Sequence, residues 1–144
     1  MSVLLRLVAI LQIAGGFYGL ASTLASGGAG GGAVLVLVIG LLLSTFAMIA
    51  GVLLLEGDAL GERLSRIALA LQIPVIATPW LSYAWHAGAT VPLQFRFGRH
   101  VVLDLDWSVP SEAFRLALAG PSTAILGVNL LALGLWLVMR FARR

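Results

Sequence analysis

Four side chains could in principle hold a divalent cation: His86, His100, Asp104 and Asp106. Imidazole nitrogens and carboxylate oxygens are metal ligands, and on an extended strand Asp104 and Asp106 point to one face. No recognised ligand spacing joins them, so the expected role is charge that keeps an exposed strand from pairing with other chains. The chain has no cysteine, hence no thiolate ligand, thiol nucleophile or disulfide. It has no Ser-His-Asp arrangement and no HExxH motif. The glycine run at 26–32 (SGGAGGG) lacks the lysine and preceding strand of a phosphate loop, and reads as a linker. The expectation is a non-catalytic protein without cofactor or resident metal.

Three amides, Gln12, Gln72 and Asn129, sit inside long apolar runs. A buried amide needs a partner, and in a membrane such bonds set register more than they add stability. Pairing with one another or with Ser44 and Thr45 is one reading. A polar path through the interior, shaped by prolines at 74 and 79, is the other.

The elements that carry these residues follow from composition. Of 144 residues, 60% are hydrophobic and 10% charged, against roughly 45–50% and 25% in soluble domains. Mean hydropathy is +1.05. A soluble enzyme and a disordered chain are excluded. The pI near 10.6 reflects a net charge of only +3, carried by nine arginines with no basic cluster among aromatics, which excludes a nucleic-acid binder.

A membrane span takes about 20 apolar residues. Four stretches qualify: residues 3–25, 33–55, 64–85 and 122–141. The expectation is therefore an all-α integral membrane protein, a single domain of four transmembrane helices in a bundle. Residues 1–25 are read as a retained span, since Thr23-Leu24-Ala25 is a poor cleavage site. Arg6, Arg63, Arg66, Arg140, Arg143 and Arg144 fall on one side, and Arg96, Arg99 and Arg115 on the other. The positive-inside rule then places both termini in the cytoplasm of a bacterial-type inner (plasma) membrane.

Helices in lipid associate through small residues. Gly15 and Gly19 form such a pair in the first span, and Gly40, Ser44, Ala47 and Gly51 a stripe in the second. Gly127 and Gly134 lie seven apart in the fourth. A weak repeat relates residues 4–22 to 64–82 at an offset of 60, matching Arg6 to Arg66 and Gln12 to Gln72.

The outer segment, residues 86–121, behaves differently. Leu93, Phe95 and Phe97 alternate with Gln94 and Arg96, and Val101, Leu103, Leu105 and Trp107 with Asp104 and Asp106. Period two predicts a β-hairpin. A three-residue loop, Gly98-Arg99-His100, pairs Phe97 with Val101, Phe95 with Leu103 and Leu93 with Leu105, keeping apolar residues on one face. Residues 110–119 are read as a short interfacial helix.

An isolated hairpin is marginal, so its apolar face must rest on something. The leading expectation is a small membrane subunit or scaffold. It would dock a membrane-protein partner through Leu93, Phe95, Phe97, Leu103, Leu105 and Trp107. The alternative is a homo-oligomeric pore or small-solute transporter built on the three amides.

Overall fold

The computed structural model describes residues 2–26, 31–86, 90–98, 100–105, 114–118 and 121–141. The first two expected spans are helices α1 (Val3–Ser26) and α2 (Gly31–Glu56). Over Val3–Ala25 and Val34–Glu56 they are long and apolar enough to cross a membrane. They run antiparallel in close contact. A side chain at Gly16 would meet the backbone of Ser44 and Met48 at 2.8 Å, and one at Gly51 would meet the Ala9 carbonyl at 2.9 Å.

α2 ends on Gly57, whose φ of 81° suits a residue without Cβ. Its N–H donates to the Leu54 carbonyl and that of Asp58 to the Leu53 carbonyl, each at 3.0 Å, a Schellman closure. Asp58 then caps α3 (Ala59–Gln72) by accepting from the Leu60 N–H at 2.8 Å.

Beyond this point the four-helix expectation fails. The third run is helical only to Gln72, then forms strands β1 (Pro74–Ala77) and β2 (Ser82–Trp85). Ile73 still has helical backbone angles and closes the last turn by donating to the Ala70 carbonyl, but Pro74 has no N–H with which to continue the helix. The β-branched Val75, Ile76 and Thr78 and a second proline at 79 favour extension. Pro74 takes the first position of its strand, where a missing N–H is tolerated. The 4–22/64–82 similarity accordingly ends in structure at Gln72, where α1 continues and α3 stops.

Strands β3 (Pro92–Phe97), β4 (Val101–Leu105) and β5 (Phe114–Ala117) follow. The expected interfacial helix is thus replaced by β5 where it is described, and residues 106–113 lie outside the described residues.

The fourth run divides as the third does. Residues 124–129 (AILGVN) form β6 (Ala124–Asn129), and α4 (Leu130–Phe141) follows. The Asn129 side-chain oxygen accepts from the N–H groups of Leu131 (3.2 Å) and Ala132 (3.4 Å), so this amide is an N-cap. The twelve residues of α4 span about 18 Å, short of the roughly 30 Å hydrocarbon core.

The six described strands form one antiparallel sheet in the order β4-β3-β6-β1-β2-β5. Among the described residues the fold is two long helices, two shorter ones and this sheet, not an all-α bundle. One core joins the four helices through Leu5, Val8, Ala9, Leu54, Leu69 and Met139. A second joins Ala47 of α2 and Ala68 of α3 to Trp85 and Phe114 of the sheet.

Candidate docking surface

Residues directly paired across strands share a face, so the registers sort the whole sheet. Phe95 pairs with Leu103 and with Leu126, Leu126 with Ile76, Ile76 with Tyr83 and Tyr83 with Leu116. One face therefore carries Leu93, Phe95, Phe97, Leu103, Leu105, Leu126, Ile76, Tyr83, Trp85, Phe114 and Leu116. It bears no charged side chain among the described residues. The other face carries Gln94, Arg96, Asp104, Ser82 and Arg115. There Arg96 and Asp104 form an ion pair at 3.0 Å.

The apolar face is covered at one end only. Val36, Ile39, Leu43 and Phe46 of α2, with Tyr83 and Leu116 of the sheet, pack around the cluster of Ala47, Ala68, Trp85 and Phe114. Trp85 is 1% exposed. The Tyr83 hydroxyl donates to the Leu71 carbonyl of α3 at 2.8 Å, and burial raises its pKa, so it remains a donor. At the β3–β4–β6 end nothing of the described chain lies on the face. Phe95 is 43% exposed, Leu103 59% and Leu105 61%. Phe97 and Leu126 are exposed too.

No family model, curated protein or solved structure matches this chain. Its function is therefore read from the geometry.

The hairpin has the register expected of a three-residue loop: Phe97 with Val101, Phe95 with Leu103, Leu93 with Leu105 and Gln94 with Asp104. Of the expected docking residues, Phe95, Phe97, Leu103 and Leu105 share the open surface. Leu93 is half-buried between β4 and β6. Trp107 lies outside the described residues. Leu126 belongs to the same surface. The sequence reading passed it over because it assigned residues 122–141 to a helix, and the alternation that would reveal it is masked by an unbroken apolar run.

The three amides are not gathered together. Gln12 donates to the Ser65 carbonyl at 3.2 Å, inside the α1–α2–α3 contact. Gln72 donates to the Ala68 carbonyl of its own helix at 3.1 Å. Asn129 accepts from the Val91 N–H at 3.3 Å, and its own N–H donates to the Ile73 carbonyl at 2.8 Å. So Gln72 and Asn129 come to one end of the sheet, with Gln12 two helical turns away along α3.

That end also holds His86 and Thr90, both buried, whose Nδ1 and Oγ1 have no hydrogen-bond partner among the described residues. Burial and the neighbouring Arg115 lower the His86 pKa to about 4, so the ring is neutral at pH 7. His100 sits exposed at the hairpin turn, away from His86. Asp106 lies outside the described residues, and no cluster of three metal-ligating side chains occurs among the described ones.

The small-residue stripes also resolve. Gly40, Ser44, Ala47 and Gly51 are buried along α2, and Gly15 and Gly19 along α1. Between α1 and α2 the closest approach is made by Gly16, and Gly61 of α3 stands closer still to the α2 backbone at Leu53 and Leu54; the sequence reading singled out neither. Gly127 faces Leu93 and Gln94 across the β6–β3 pair, and nothing lies within 4 Å of a side chain placed at Gly134. These two glycines therefore do not form a helix-packing face.

Proposed function

We propose that this chain is a non-catalytic, membrane-anchored docking subunit. In this reading α1 and α2 hold it in a bilayer, and the open half of the sheet face receives a protein partner. The observation that carries the reading is the contrast within one apolar face. The half against α2 is sealed, and the half with Phe95, Leu103 and Leu105 is bare.

The helical surfaces support the anchor. Leu4, Leu7, Leu11, Phe17 and Leu24 form an exposed stripe along α1, and Leu35, Val38, Leu42 and Ile49 one along α2. Apolar exposure on this scale exceeds what soluble monomers present to water. Arg6, Arg66 and Arg140 are exposed on turns beside the helical core at one end. The positive-inside rule then puts that end, and both termini, in the cytoplasm of the inner (plasma) membrane. The sheet flanks the opposite half of α2.

The test is native mass spectrometry of the protein drawn from its own membrane in mild detergent. The wild type is expected to carry a second polypeptide in stoichiometric amount. Phe95→Asp combined with Leu103→Asp is expected to remain folded, since both side chains are exposed, and to lose it. Retention of the partner by the double variant, or a wild type that is monomeric throughout, overturns the reading.

A further inference from the structure

We infer that the occupant of the open half-face is a second copy of this chain, stacked face to face. The inference rests on the docking reading above and names its partner.

Three observations converge on a second copy. The first is charge: the ionic side chains described on β3 and β4, Arg96 and Asp104, pair with each other on the opposite face. Two identical open half-faces therefore meet without like charges opposed. The second is area. Phe95, Phe97, Leu103, Leu105 and Leu126 are each about half exposed, presenting on the order of 500 Å² per copy. Two copies then remove roughly 1,000 Å², the lower bound for a specific interface before α2 contributes anything.

The third is direction. Val36, Ile39, Leu43 and Phe46, on successive turns of α2, pack around the cluster that holds Trp85 and Phe114, and Gly40 lies against Phe114, so the helix is laid along the sheet in this arrangement. A two-fold axis perpendicular to the sheet, which antiparallel β4–β4 pairing at the open edge requires, would reverse α2 in the second copy. The arginines at one end of the helices favour a single orientation in a bilayer. A two-fold axis lying in the plane between stacked sheets and parallel to α2 keeps both copies in one orientation.

Layer thickness agrees with this arrangement. Facing sheets stand about 10 Å apart and a helix is about 10 Å across. The second sheet can therefore lie on the first beside α2, in one layer with it.

The chain has no cysteine, which makes single-thiol cross-linking specific. Phe95→Cys and Val102→Cys are prepared separately in native membranes and treated with a short bifunctional thiol reagent. Phe95→Cys lies on the open face, whereas Val102, also exposed, lies on the opposite one. The expected result is a covalent dimer from Phe95→Cys, at least tenfold more than from Val102→Cys. Adding Leu103→Asp to Phe95→Cys should abolish it, and native mass spectrometry of the wild type should give twice 15.1 kDa.

Cross-linking at Val102→Cys would show edge pairing and overturn the stacked arrangement. No self-cross-link together with a stoichiometric different polypeptide would overturn the second copy while leaving the docking reading intact. Neither product would overturn both.

Discussion

Tyr83, Trp85, Phe114 and Leu116 lie on the same face of the same sheet as Phe95, Leu103, Leu105 and Leu126, and both sets are apolar. The first set packs beneath α2, with Trp85 only 1% exposed. The second has no helix of the described chain laid over it, and Leu105 is 61% exposed. Hydrophobicity alone does not separate the two sets, so the difference is positional. Among the described elements, α2 packs on β5 and α3 on β1 and β2. The covered half holds the fold together, and the open half is surface left over for association.

The contrast is broken most directly by removing one large ring from each half. Trp85→Ala empties a sealed site and is expected to cost about 3–5 kcal/mol. Phe95→Ala removes a half-exposed ring and is expected to change monomer stability within about 0.5 kcal/mol, while weakening association. Reversible denaturation in detergent micelles at a protein concentration low enough to keep the chain monomeric measures both. Equal losses would mean that the open half is covered within the single chain, and the comparison would collapse.

What was legible in the sequence divides along similar physical lines. The hairpin was readable down to its register, because Gln94, Arg96 and Asp104 interrupt the apolar residues every second position. The two N-terminal helices were readable because each is a 23-residue, predominantly apolar run without a proline. Runs 64–85 and 122–141 were misread because an unbroken apolar stretch carries no period. Helix and strand look alike there, and length decided for the wrong element. The signals that could have corrected it were local. Pro74 and Pro79 frame β-branched residues in the first case. Asn129 stands in the second as a helix cap, not as a buried amide. The candidate surface was partly legible for the same reasons: its β3 and β4 residues follow from alternation, and Leu126 does not.

His86 sharpens the comparison at the sealed end, just past Trp85. Its pKa is lowered to about 4 by burial and by Arg115, against about 6.5 in an unfolded chain. Between these values the unfolded chain binds the proton and the folded one does not. The stability is therefore fully present above about pH 6.5 and is lost as pH falls toward 4, by about 3 kcal/mol over the window. Denaturation profiles from pH 7 to pH 4 should show this decline in the wild type and a shallower one in His86→Gln. Identical slopes would mean that water reaches the His86 ring, and that the sealed half ends at Trp85.

The smallest pair of effects asks whether tight helix contact underlies the sealed half at all. Gly51→Ala and Gly134→Ala are the same chemical change in two helices. At Gly51 the new methyl would lie 2.9 Å from the Ala9 carbonyl oxygen and 3.0 Å from the Ile13 nitrogen, both backbone atoms of α1. The helices must separate, at a cost of about 1–3 kcal/mol. At Gly134 no atom lies within 4 Å, so the gain in helix propensity stands alone, about 0.5–1 kcal/mol. Opposite signs of the two shifts, read from the same denaturation experiment, are the expected outcome. A gain at both sites would show that α1 and α2 do not touch at Gly51. α2 would then lack the support that fixes it against β2 and β5, and the sealing of one half of the sheet would need another cause.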